Sequence, residues 1–232
     1  MIYRHITDQV REALTDTPAV LVNGARQTGK STLVQSEELG EQDRQYLTFD
    51  DPGVLAAAKG DPNGFVAGLN PRVTLDEVQH VPELFSVVKA AIDRKRLPGR
   101  FLLTGSANVM LLPKLSESLA GRMEIVTVWP FSPGEINGTR ETFVDALFSK
   151  HSAAWTGKPT VVAREELLET VIAGGYPLAV ARHNASRRNA WFQSYVMTML
   201  QREIRDLAKA CCKTRPSGPV FSRTGLRPRW RI

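Results

Sequence analysis

The chain has 232 residues, 42% hydrophobic and 23% charged, a balance that predicts a soluble globular protein with one α/β domain and a smaller appendage. No run approaches the ~18 consecutive apolar residues of a membrane-spanning helix, and charges interrupt the first ten residues where a secretory signal would be apolar; the expectation is a cytoplasmic protein without membrane contact. The net charge of +6 does not argue for nucleic acid, because residues 211–232 carry six basic and no acidic side chains while residues 1–210 carry 24 of each sign.

Ile6, Val10 and Leu14 recur every four residues and predict an amphipathic helix over Tyr3–Leu14. After Pro18, the run Ala19-Val-Leu-Val22 reads as a buried strand that ends in Asn23-Gly24, and helical text follows from Lys30 to Leu39. Strands are expected at Gln45–Phe49, Arg72–Val78, Arg100–Ser106 and Met123–Trp129. Helices are expected at Val54–Lys59, Pro82–Arg96 and Val109–Leu119. Five short apolar strands alternating with helices imply βαβ units and a parallel sheet. From Phe131–Glu135 onward the text reads as connection, again at Thr156–Pro159, with helices at Ala163–Ile172 and from Arg187 through Leu200 to Lys209. The predicted organisation is a sheet domain over 1–134, a helical module over 135–209, and a basic tail over 210–232 that cannot build a core. Neighbouring Cys211 and Cys212 and four scattered histidines offer neither a disulfide framework nor a metal site of nitrogen and sulfur ligands.

Gly24-Ala-Arg-Gln-Thr-Gly-Lys30-Ser31 fits the pattern G-x-x-x-x-G-K-[ST]. Such a loop curls its backbone N–H groups around phosphate oxygens, and glycines keep side chains out of the anion's space. Its position between a strand and a helix is what the chemistry requires. Gly24, Ala25, Arg26, Gln27, Thr28, Gly29, Lys30, Ser31 and Thr32 are therefore the expected ATP-binding residues, with Lys30 on the β- and γ-phosphates and Ser31 on Mg²⁺. Arg26 reads as a loop-tip side chain rather than a catalyst.

Val73-Thr-Leu-Asp76-Glu77 is an apolar strand ending in two carboxylates. Asp76 is the second expected Mg²⁺ residue, and Glu77 is placed to polarise a water that attacks the γ-phosphate. An acid after the aspartate argues against a small-molecule kinase, whose acceptor hydroxyl needs no activated water. Thr104, Ser106 and Asn108 close the fourth strand and are candidates to contact the γ-phosphate or that water; Ser106 heads them, beside the reading as a simple turn. Arg122, before the fifth strand, can stabilise transition-state charge in its own site or across a subunit boundary, as arginine fingers do. His80, Trp191, Phe192, Tyr195 and the pair Arg187-Arg188 read as loop, core and solvated-face residues.

Together, Asn23-Gly-Ala-Arg-Gln-Thr-Gly-Lys-Ser-Thr32, Leu47-Thr-Phe-Asp-Asp-Pro52, Leu75-Asp-Glu-Val-Gln79, Phe101-Leu-Leu-Thr-Gly-Ser106, Leu119-Ala-Gly-Arg122, Trp129-Pro-Phe-Ser132 and Gly174-Gly-Tyr-Pro177 make the chain resemble a family of bacterial and archaeal AAA-type P-loop ATPases that carry a C-terminal domain of unknown function. The resemblance covers residues 1–209. It implies an ATP site in which Lys30, Ser31, Asp76 and Glu77 take the roles above, and it supports Ser106 and Arg122. Members usually continue further, whereas this chain turns into basic, Pro-rich text near Ala208–Cys211; the expectation is a frameshift or truncation in the gene, against a genuine basic tail binding nucleic acid through phosphates. The functional expectation is an ATP hydrolase that drives a helical output module, with a homo-oligomer as one arrangement. The alternative is a nucleotide-gated regulator that binds DNA or a protein through that module and hydrolyses little.

Overall fold

The computed structural model describes residues 2–39, 43–106, 109, 119–148 and 162–213. The chain divides into two compact units, Met1–His183 and Asn184–Ile232. The first holds a five-stranded, all-parallel sheet: β1 (Ala19–Gly24), β2 (Gln45–Thr48), β3 (Val73–Asp76), β4 (Phe101–Ser106) and β5 (Met123–Thr127), in the spatial order β2-β3-β4-β1-β5. Every neighbouring pair is parallel, so the chain returns along a helix or loop after each strand.

Alternation along the strands separates two cores. Ala19, Leu21, Phe101, Leu103, Val73 and Leu75 face one layer, where they pack with Phe49, Phe85, Val88 and Ile92. Val20, Val22, Leu102 and Val126 face the other, against Val10, Ala13, Leu33 and Val34. Helices α1 (Ile6–Asp16) and α2 (Lys30–Val34) thus cover one face; α3 (Pro52–Gly60), α4 (Pro62–Ala67) and α5 (Leu84–Arg94) cover the other. Both faces are buried, which is why β1 and β4 read as unbroken apolar runs.

Several elements differ from expectation. The helix after the phosphate loop ends at Val34 rather than Leu39, and the third strand ends at Asp76 because Glu77 turns into the left-handed region at φ 60°. Helix α4 was not expected; Asp61 accepts from Gly64 N–H and Pro62 stands in its first turn, so the Pro-Asn-Gly text starts a helix instead of breaking one. The stretch expected as connection at 131–135 contains α6 (Pro133–Asn137), started by a capping box between Ser132 and Glu135. Helices α7 (Phe143–Phe148), α8 (Arg164–Ala173) and α9 (Pro177–Val180) follow, and the first unit runs past residue 134 to His183. One reason is that Phe131 N–H donates to Gly175 O at 2.7 Å, while a Cβ on Gly175 would fall 2.0 Å from Phe131 O. Among its described residues the second unit holds helix α10 (Ala185–Lys213), in which Trp191 stacks on Tyr195. The expected helix at Val109–Leu119 falls largely outside the described residues, as do Asn108, the connection at 156–159 and residues 214–232 of the tail.

The chain entering α1 is fixed by a buried ion pair. Arg4 and Glu135 are 7% and 8% exposed, with Arg4 Nε 3.4 Å from Glu135 Oε1. Arg4 also donates to Trp129 O and lies 4.4 Å over the Phe131 ring; His5 N–H donates to Glu135 Oε1 at 2.8 Å. Removing the carboxylate would strand a buried guanidinium. Glu135→Ala should lower unfolding stability by about 3 kcal/mol, read from the denaturant midpoint at constant m-value.

Candidate nucleotide site

The phosphate loop leaves the sheet at the carboxyl end of β1, flanked by β4 and β5, where the strand order reverses. Such switch points are where open α/β sheets take ligands. Gly24 has φ 152° and its absent Cβ would lie 2.3 Å from Val128 O, so no side chain fits there. Gln27 and Gly29 also have positive φ, at 62° and 90°. Positive φ at these three positions lets the loop curl tightly, as loops that cradle anions with backbone N–H groups do. Thr28 Oγ1 donates to Ala25 O at 2.9 Å and closes the curl. Lys30, 5% exposed, donates to Gly24 O at 3.2 Å and Ala25 O at 2.9 Å, so its ammonium lies inside the loop. Thr32 is exposed in the first turn of α2, and Arg26 and Ala25 are half-buried.

Asp76 is 3% exposed and collects hydroxyl donors from three elements. Ser31 Oγ donates to Oδ1 at 3.1 Å, Thr104 Oγ1 donates to the same oxygen, and Tyr46 OH donates to Oδ2 at 2.9 Å. The two expected metal residues, Ser31 and Asp76, therefore touch. Their donor set is hard oxygen, the kind Mg²⁺ takes together with substrate phosphates and water. Among the described residues no group of three or more His, Cys, Asp or Glu side chains could hold a metal by itself.

Glu77 follows directly. Its N–H donates to Thr104 Oγ1 at 3.0 Å, and its Oε2 accepts from Gln79 Nε2. Ser106 is buried at the end of β4, in register with Gly24, and its N–H donates to Gln79 Oε1 at 3.3 Å. Loop, Asp76, Glu77 and Ser106 thus share one end of the sheet.

Arg122 is not brought to that end. It precedes Met123, which pairs with Ala19 at the start of β1, roughly 16 Å along the strands from the loop at ~3.3 Å per residue. There it forms a fork with Asp93, Nε to Oδ1 at 2.6 Å and Nη2 to Oδ2 at 3.2 Å. The Arg122 guanidinium holds the Asp93 carboxyl below its ordinary pKa, and Asp93 raises that of Arg122. Of the two expectations for Arg122, its own site or one across a subunit boundary, the first is corrected by this placement, which sets the guanidinium at the opposite end of the sheet from its own loop.

Three side chains of the site carried no role from sequence. Tyr46 reads only as part of a strand, and Gln79 and Pro177 only as the ends of two of the motifs that carry the resemblance. Pro177 Cγ lies 3.8 Å from where a Cβ would stand on Gly29, so the Gly174–Pro177 motif rests against the phosphate loop. Only its Gly-Gly-Tyr-Pro punctuation hinted at a close approach.

Comparison with known proteins follows the same outline. Residues 16–137 match the family described as an AAA domain, and residues 164–214 match a domain of unknown function. Uncharacterized proteins of Mycobacterium tuberculosis and Mycobacterium bovis are each 33% identical over 205 residues, 88% of this chain and 40% of theirs. The chain therefore spans about two fifths of the length of these curated relatives. A Walker-type ATPase of Pyrococcus abyssi superposes with a TM-score of 0.54 over 92% of this chain and 77% of that one, at 17% identity, which shows a shared fold.

Burial, and next the hydrogen bond to Asp76, push the Tyr46 phenol up to about 12. The folded value exceeds the unfolded one of about 10, so this phenol favours the fold below pH ~10 and that contribution is lost as pH rises through about 12. An ultraviolet difference titration of wild type against Tyr46→Phe should show the missing phenol ionising near pH 12.

Proposed function

The chain belongs to the AAA domain family, and from that premise we propose that it binds Mg²⁺·ATP in the Gly24–Thr32 loop and hydrolyses it. The observation that most supports this reading is the meeting of Ser31 with Asp76, 3.1 Å apart, with Glu77 next in the chain. The loop N–H groups receive the phosphates, and Lys30 exchanges Gly24 O and Ala25 O for β- and γ-phosphate oxygens. Ser31 and Asp76 would hold magnesium, which when bound offsets phosphate charge. Glu77 accepts a hydrogen bond from the attacking water and lines it up with the γ-phosphate. Ser106, beside Gly24 at the end of β4, offers a polar group to the γ-phosphate.

Arg122 acts on the site of a second copy after leaving Asp93, which makes a homo-oligomer the active form. Occupancy of the loop moves Pro177, and with it the segment that leads through α9 into the helical module. The cytoplasm, with its ATP pool, is the setting this requires. Among the described residues no helix is long and apolar enough to cross a membrane.

Turnover and nucleotide binding separate the roles. Lys30→Ala should lose ATP affinity, whereas Glu77→Gln should retain it and lose about a hundredfold or more in kcat. Equal hydrolysis by wild type and Glu77→Gln would remove Glu77 from the mechanism.

A further inference from the structure

Glu77 is a non-glycine residue at φ 60°, a conformation that costs about 1 kcal/mol and needs support from its surroundings. Part of that support is visible: its N–H donates to Thr104 Oγ1 at 3.0 Å, which fixes the backbone. The carboxylate is fixed separately. Gln79 Nε2 donates to Glu77 Oε2, while the Oε1 of the same amide accepts the Ser106 N–H at 3.3 Å. One side chain therefore ties the acid after β3 to the last residue of β4.

Space for that tie is provided by Gly105. A Cβ on Gly105 would lie 3.2 Å from Gln79 Oε1 and 3.0 Å from Val109. These are tighter approaches than most side chains tolerate, so the glycine keeps open the path along which the amide reaches Ser106 N–H. A merely solvated loop glutamine would need no such accommodation.

We propose that Gln79 is a positioning residue for hydrolysis, holding Glu77 through Oε2 so that Oε1 accepts the attacking water, and coupling that orientation to the end of β4 beside the phosphate loop. This rests on the hydrolysis reading above. The amide suits the task because it donates to a carboxylate and accepts from a backbone N–H at once. A carboxylate in its place would keep the acceptor and lose the donor. An apolar side chain of similar size would lose both. The role is orientation, so it bears on kcat rather than on nucleotide affinity.

The test uses the full chain as Gln79→Met, Gln79→Glu, Glu77→Gln and the Glu77→Gln/Gln79→Met double variant, each checked for cooperative thermal melting. Gln79→Met should lose about ten- to a hundredfold in kcat, the range expected when a supporting group behind a catalytic side chain is removed. Its KM for ATP and its Kd for a non-hydrolysable ATP analogue should stay within about twofold of wild type. Gln79→Glu should show the same loss, because the donor to Glu77 is gone while the Ser106 N–H keeps an acceptor; it also decides the matter if Gln79→Met fails to fold. Adding Gln79→Met to Glu77→Gln should cost nothing further, since both act through one carboxylate. Wild-type or higher turnover in the Gln79 variants would overturn the proposal, and so would a fall in affinity that matches the fall in kcat or additive losses in the double variant. Absence of turnover in the wild type would overturn the hydrolysis reading and this proposal together, whereas turnover in wild type and Gln79 variants alike would sink the proposal alone.

Discussion

A buried carboxylate has to be satisfied where it lies, and Asp76 sets that demand for the carboxyl end of the sheet. At 3% exposure it has left bulk water and is met by hydroxyls from β2, α2 and β4. Hydroxyl donors fill lone pairs without cancelling charge, so the group keeps its attraction for a cation while avoiding the cost of an unbonded buried acid. The same bonds join the strand that leads into Glu77 to the helix that opens with Lys30. Parallel register makes this economical: Thr48 pairs with Asp76 and Leu75 with Leu103, so Tyr46 and Thr104 reach the carboxylate from the strands on either side.

Much of this could be read from the chain because a sheet covered on both faces leaves continuous apolar runs with no alternation to confuse them. The Gly24–Ser31 pattern, placed between such a run and helical text, then located the phosphate loop. What escaped was set by tertiary geometry. Tyr46 is spelled like any strand aromatic, and only its register beside Thr74 shows that the phenol can reach two residues further to Asp76. Gln79 is a polar residue in the loop after β3, and its partner Ser106 lies 27 positions away. Helix α6 had a legible signal in Ser132-Pro-Gly-Glu135, a capping box that the neighbouring Pro and Gly disguised as a loop.

Arg122 illustrates a different limit. Its residue type suggested transition-state chemistry, yet strand direction decides which edge it occupies. In an all-parallel sheet, a residue that precedes a strand stands at the edge opposite one that follows a strand. Ser106, Asp76 and the loop all follow or end their strands, whereas Arg122 and its partner Asp93 lie before β5 and at the end of α5. Chemistry alone does not carry a guanidinium across the sheet. Strand direction, already implied by the βαβ pattern, is enough to place Arg122 away from the loop of its own chain.

The left-handed turn at Glu77 explains why the catalytic candidate can sit outside the strand ladder. Had residue 77 continued β3, its carboxylate and that of Asp76 would have pointed to opposite faces of the sheet. The turn ends the strand and begins the short 3₁₀ segment Val78–His80, which carries Gln79 back towards Glu77 and the end of β4. Backbone strain at this one residue is thereby exchanged for two acids held near each other with different partners. Asp76 is enclosed by hydroxyls, while Glu77 is steadied by a single amide. In the proposed hydrolysis, enclosure would suit a group that holds a cation, and a single tether would suit one that leaves an oxygen for water.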